Sequence, residues 1–327
     1  MSRKLTFAVA LLWALMQAVA PVAAQDWPTR PVTMVIVYPV GGTLDITGRI
    51  LAARLSQVLG QPVIVENVSG AAGVNGTNHV VHAAPDGYRF ALADIGPIAL
   101  SQTLYKKPLY NSATDLTPVG LVALLPSVVI ARKDLPANNL PELAAYAKAN
   151  PGHMQYASSG TGGLNHLACT LIDQITGAKA TYVPYRGGAN AIQDLIAGRI
   201  DFQCTSTPGA APQIEGNQVK GLAVLTHDRS PRLPNLSSGY EQGFKDLEAF
   251  LWLGFFFPKG TAPAIVAKLN AATLATLNTP MVQARLRDVG AELVPPEQRS
   301  PEYLAKFVVS ETAKWAPIIS AAGLAGQ

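Results

Sequence analysis

The stretch VTMVIVYPVGGTLD, residues 32–45, decides how this chain is read. Val32 to Tyr38 is nearly all β-branched or apolar and lies between Pro31 and Pro39, which is the pattern of a short buried strand. Gly41 and Gly42 break the run. A helix then opens at about Leu44 and puts Ile46, Ile50, Ala53 and Leu55 near one face before Gly60 ends it. A strand, a glycine pair and a helix start make half of a βαβ unit, so the fold is α/β.

The same alternation continues outward. Strands are expected at 63–67 and 88–93, with a helix at 71–83 between them. From about Leu121 a second set follows: strands at 127–131, 155–157, 181–183, 200–204 and 221–225, and helices at 140–149, 164–175 and 189–197. A last apolar strand, 251–257, precedes helices at 263–277 and 301–322 that have no strands of their own. Those helices are expected to return to the first unit and make it discontinuous. The expected division is 25–125 with 249–327 as one domain and 126–248 as the other, with a cleft between two sheets.

Composition narrows the class. The chain has 327 residues, 25 Lys plus Arg against 21 Asp plus Glu, and only 14% charged residues. That excludes a disordered tail protein, and the absence of a basic run argues against a nucleic-acid partner. Arg3, Lys4, the apolar run from Leu5 to Val19 and Val22-Ala23-Ala24 read as a signal peptide, residues 1–24, cleaved after Ala24. Export to an oxidising compartment makes Cys169 and Cys204, the two cysteines, candidates for one disulfide; two buried thiols are the alternative.

The strand–glycine–helix pattern recurs at Ser158-Ser159-Gly160-Thr161-Gly162-Gly163-Leu164-Asn165-His166 and at Tyr185-Arg186-Gly187-Gly188-Ala189. The first amides of a helix lack partners and sit at the positive end of its dipole, and glycine lets a ligand approach them. One such turn is often only a tight connection. Three of them, spread over both expected domains, suggest a small anion held across the cleft, with hydroxyls from Thr43, Ser159 and Thr161 and a cation at Arg186. Asp45 is expected to steady the first turn rather than to touch the anion, with Arg49 as its partner. His166 has three readings: orienting its turn, touching the ligand, or filling a core hydrogen bond. His79 and His82 read as a solvated helix face.

Enzyme signatures are missing from the sequence. There is no P-loop, no G-x-G-x-x-G, no G-x-S-x-G elbow and no H-E-x-x-H, and the five histidines show no metal-ligand spacing, so no cofactor or metal is expected. The competing class is a secreted hydrolase or isomerase that acts on carboxylic acids with His166 as base.

At these turns the chain resembles the tripartite tricarboxylate transporter substrate receptors, the Bug-type periplasmic solute-binding proteins. The resemblance rests on Gly41-Gly42 with Asp45, Leu59-Gly60-Gln61-Pro62-Val63, Pro85-Asp86-Gly87-Tyr88, Gly160 to His166, Val183 to Gly188 and Pro258-Lys259-Gly260-Thr261-Ala262-Pro263, in that order along the chain. It implies a type II periplasmic-binding fold whose two α/β domains close on a small organic carboxylate, and a role as an exported monomer that serves membrane permease subunits. A receptor feeding a sensor system is the variant reading. The expected ligand-binding residues are Tyr38, Val40, Gly41, Gly42, Thr43, Asp45 and Asp94 on one side, and Ser158, Ser159, Thr161, Gly162, Gly163, His166, Tyr185, Arg186, Gly187 and Thr205 on the other. Two departures from the family pattern stand out. Val40 replaces a proline, and Thr205 and Ser206 stand where relatives often carry an aspartate. The second departure favours a plain di- or tricarboxylate or an aromatic acid over an amino acid.

Overall fold

The computed structural model describes residues 27–158, 160–245 and 247–326; the expected export segment, 1–24, lies outside them. Two sheets share one long strand. In the first lobe β1 (Val32–Ile36) lies between β2 (Val63–Asn67) and β3 (Arg89–Asp94), parallel to both, and β9 (Phe250–Pro258) runs antiparallel to β3 and to the first part of β4 (Leu116–Arg132). The second lobe reuses the end of β4. There it runs antiparallel to β8 (Val219–Val224) and to β7 (Phe202–Ser206), and β7 continues in parallel through β5 (Gln155–Ser158) to β6 (Thr181–Pro184).

The exchange of partners is sharp. Pro126 of β4 faces Phe250, whereas Ser127, one residue on, faces Ser206. The chain returns beside the same point: Ser127 N–H donates to the Ala249 carbonyl, and Ala249 N–H to the Leu225 carbonyl. β9 reads FLWLGFFFP because it is covered on both faces, as central strands are. Phe255 and Phe257 pack against Phe90 with ring centroids 5.1 and 5.8 Å apart.

The α-helices longer than four residues are α1 (Thr43–Leu59), α2 (Val74–Val81), α3 (Leu140–Ala149), α4 (Leu164–Thr176), α5 (Gly188–Ile196), α6 (Thr207–Glu215), α7 (Pro263–Leu277), α8 (Pro280–Asp288) and α9 (Pro301–Ala321). α7 packs on α1 and β4, and α9 packs on β4 and on the helical turn Gly96–Leu100.

Four elements differ from expectation. β4 starts eleven residues before the expected 127, because tertiary pairing with β9 tolerates Pro118 at a register shift. α6 went unread because Pro208, Gly209 and Pro212 argue against a helix; Pro208 sits in the first turn, where its missing N–H costs nothing. α8 went unread because its exposed charged face hides the period. The expected helix at 71–83 is a single 3₁₀ turn, Ala71–Gly73, followed by α2, and both Ala71 and Ala72 have positive φ.

Candidate functional site between the lobes

Four helices turn their first residues toward one cleft of about 410 Å³: α1 through Gly42 and Thr43, α4 through Asn165, α5 through Gly188 and Ala189, and α6 through Ser206 and Gly209. The capping residues of these helices, Gly42, Gly163, Gly187 and Ser206, supply no side-chain hydrogen bond to the helix, whereas Asn139 and Ser300 cap α3 and α9 with their side chains elsewhere. Thr43, Leu44 and Asp45 in α1, and Leu164 and Asn165 in α4, keep N–H groups with no acceptor among the described residues. Each helix end carries roughly half a positive charge, so four of them set up a field for an anion without a cationic side chain. Among the lining residues there is no lysine, arginine or histidine.

The first turn owes its shape to Asp45. Its carboxylate is buried and accepts from Gly41 N–H (2.9 Å), Arg49 Nε (2.9 Å) and Asn67 Nδ2 (3.0 Å). Burial alone would raise this carboxyl, but the donors from Arg49, Gly41 and Asn67 outweigh it and hold it below the ordinary carboxylate value. Its oxygens are therefore spent on the loop. Asp45→Ala would take an acceptor from Gly41 N–H, from Arg49 and from the Asn67 amide, which keeps the Tyr38 carbonyl; these donors are not fully buried, so the loss is about 0.5–1.5 kcal/mol for each hydrogen bond. The expected result in calorimetry is a clear fall in melting temperature together with weaker ligand binding. An unchanged melting temperature would show that the loop holds its shape unaided.

The cleft floor joins β1 and β3. Asp94, the last residue of β3, is 1% exposed; its Oδ1 accepts from Gly96 N–H at 3.1 Å and lies 3.3 Å from Tyr38 Oη. Tyr38 Oη also donates to the Ala72 carbonyl at 3.0 Å. Burial pushes the Asp94 carboxyl up to about 7, against the lowering effect of those hydrogen bonds.

The lobes meet around this space. Thr43 Oγ1 and Ser206 Oγ are 2.7 Å apart across the cleft. A Cβ on Gly187 would stand 3.3 Å from Pro39 Cγ, and one on Gly163 would stand 3.9 Å from Ala72 Cβ.

Of the expected ligand-binding residues, the structure brings Tyr38, Gly41, Gly42, Thr43, Asp94 and Thr205 to the cleft lining. The other described ones stand elsewhere. Val40 is 68% exposed outside the lining, and Asp45 is turned into its loop. Ser158 Oγ bonds the Gly160 carbonyl and Tyr182 Oη, and Thr161 Oγ1 donates to Tyr182 Oη, so both hydroxyls belong to the turn itself. Gly162 and Gly163 face Leu104 and Ala72 of the first lobe rather than the cavity. His166 Nδ1 accepts from Gly162 N–H at 3.1 Å, its ring packs on Tyr182, and burial pulls it down to about 4; it is a neutral brace behind the turn. Tyr185 donates to Asp194 at 2.6 Å, Gly187 meets Pro39, and Arg186 is exposed and outside the lining. Ser159 lies outside the described residues.

Sequence reasoning passed over Asn165, whose Oδ1 accepts from Ser127 Oγ and leaves its amide nitrogen free of partners among the described residues. It also gave no role to Ser206 or Gly209, whereas Gly188, part of the third expected anion-seating turn, does line the cleft. The signal for Ser206 was present, because Ser-Thr-Pro is a helix-start pattern. Beneath the site Cys169 of α4 and Cys204 of β7 are joined in a disulfide.

Similarity to known proteins agrees with this geometry. The model of the family described as "Tripartite tricarboxylate transporter family receptor" matches residues 47–324. Among solved structures, the periplasmic binding protein BugD is 38% identical with a TM-score of 0.88, over 92% of this chain and all of that one. MatC of Rhodopseudomonas palustris, solved with bound malate, is 34% identical with a TM-score of 0.85, over 90% of this chain and all of that one. A second R. palustris protein, solved with adipate, is 34% identical with a TM-score of 0.88, over 92% of this chain and all of that one. The expected two-domain periplasmic-binding fold is therefore met. With cleft, fold and sequence in agreement, this chain belongs to the receptor family of the tripartite tricarboxylate transporters.

Proposed function

We propose that the protein is an exported receptor that captures a small dicarboxylate between its lobes and hands it to membrane permease subunits. The observation that carries this reading is the meeting of four side-chain-uncapped helix starts, from both lobes, in a cleft lined by no cationic side chain. Such a site attracts an anion through backbone amides and gains most of its contacts only when the lobes come together. Malate and adipate, bound by two relatives of similar fold, set the size class. The two bodies that close are 25–125 with 249–327, and 126–248, working about the partner exchange at Pro126 and Ser127.

Catalysis is disfavoured by the position of His166, whose Nδ1 is engaged by Gly162 behind the turn. The protein works as a monomer, and its mature chain begins at Gln25 once the signal is removed.

Ligand-free protein, prepared by unfolding and refolding, should melt higher in the presence of malate, succinate or adipate. At a hundredfold excess over Kd the expected gain is about 2.7 kcal/mol, a rise of several degrees for a chain of this size. A panel of mono-, di- and tricarboxylates that leaves the melting temperature unmoved would remove this reading.

A further inference from the structure

The cleft holds two buried carboxyls with opposite surroundings. Asp45 has three donors, one of them the Arg49 guanidinium. From other residues Asp94 has one full donor, Gly96 N–H, and a share in the single hydroxyl proton of Tyr38, for which the Ala72 carbonyl is the nearer acceptor; its own backbone N–H adds a smaller contribution. Its Oδ2 has no partner among the described residues, and Asp94 lines the cavity. The titratable groups acting around it are Tyr38, Tyr105 and Tyr110, all neutral phenols, and no lysine, arginine or histidine acts on it.

Resting on the reading of the protein as a carboxylate receptor, we infer that Asp94 takes up one proton from solvent as the guest enters and donates it from Oδ2 to an oxygen of that guest. The reason is charge in a confined space. A cavity of 410 Å³ is roughly 9 Å across, so a guest carboxylate cannot escape the field of Asp94, and two anions at that separation repel strongly once water is excluded. Four helix ends supply about two positive charges in total, enough for a dicarboxylate but not for a dicarboxylate with a third anion beside it. The proton removes the third charge and turns a repelling acceptor into a donor. The burial that already holds the Asp94 carboxyl near neutrality makes this uptake small in cost at physiological pH. Asp94 thus becomes a specificity-determining residue: once protonated, it favours guests that present a carboxylate or carbonyl oxygen to its Oδ2.

The test is titration calorimetry of the ligand-free full chain with malate and with adipate, in buffers of different ionisation enthalpy, from pH 7 to 9. Both acids are fully ionised over this range, so their own protons do not contribute. The expected result is net uptake approaching one proton per guest near pH 8. The Kd should weaken several-fold per pH unit, approaching the tenfold limit of one linked proton. In Asp94→Asn, whose amide is a neutral donor of the same shape, binding should persist with a Kd that is flat in pH and no proton uptake. Wild-type binding with no proton uptake and a flat Kd would overturn the inference while leaving carboxylate capture intact. So would an Asp94→Asn variant that melts normally yet no longer binds, since that would mean an ionised Asp94 is needed. If the wild-type protein bound none of the acids, both readings would fall together. The proton count on wild-type protein stands even if the variant does not fold.

Discussion

Gly163→Val is expected to weaken ligand binding by about tenfold to a hundredfold, at a cost to the unliganded protein of only about 1 kcal/mol from the poorer N-cap. Gly163 caps α4 with φ −76° and ψ 163°, ordinary extended backbone that valine adopts readily, so the change stores no strain within the second lobe. The cost to binding appears only on closure. A Cβ at this position lies 3.9 Å from Ala72 Cβ of the opposite lobe, and the two γ-methyls of valine reach further into that gap. Packed surfaces do not absorb extra methyl groups without shifts that cost typically 1–3 kcal/mol, and the upper part of that range is a hundredfold in Kd. His79→Ala, on a partly exposed helix face bonded to Arg89 and outside the cleft lining, is the control and should bind normally. Calorimetric Kd values with dicarboxylates decide the matter. Equal affinities in the two variants would mean that the glycine turn is only a connector and that closure does not bring it against Ala72.

Removing the disulfide is expected to cost the largest amount of stability. Cys169 and Cys204 lie 35 residues apart in sequence with Cα atoms 5.6 Å apart, and both are wholly buried. Closing a loop of that length restricts the unfolded chain by roughly 4 kcal/mol on the loop-entropy account. For a protein of this size that amounts to a fall of roughly 10 °C in melting temperature for the double variant Cys169→Ala with Cys204→Ala. Mass spectrometry of exported protein without reductant should find no free thiol. The bridge fastens α4 to the end of β7, directly before Thr205 and Ser206, and so holds two of the converging helix starts against each other. Affinity should nevertheless stay close to wild type, because Thr205 and Ser206 remain paired with Val128 and Ser127 on β4. A double variant that melts like wild type would show that the sheet alone carries this lobe.

Much of the architecture was legible because it is local. Val32–Ile36 is a strand because its residues suit a buried pleat, and α1 stops at Gly60 because that residue takes φ 69°, which glycine adopts without strain. The strand–glycine–helix grammar also located three of the four helix starts at the cleft. It missed α6, where Pro208 and Pro212 mask a helix that tertiary packing against β4 and β8 holds in place.

Roles within the site were less legible, because they depend on where a side chain points once two distant segments meet. Ser158, Thr161 and His166 look like ligand groups in a linear reading, yet each spends its polar atoms on its own turn or on Tyr182. Thr205 and Ser206 put hydroxyls and no carboxyl on one wall of the cleft. Asp94, from another strand, supplies one on the floor. By itself the sequence determined the α/β alternation, the bare helix starts and the family, since all of these are written in short-range patterns of hydrophobicity and glycine. Only the tertiary structure decided which amides face the guest, which glycines face the other lobe and which buried acid lacks a counter-charge. Those outcomes follow from distances between residues more than fifty positions apart in the chain, which no local pattern encodes.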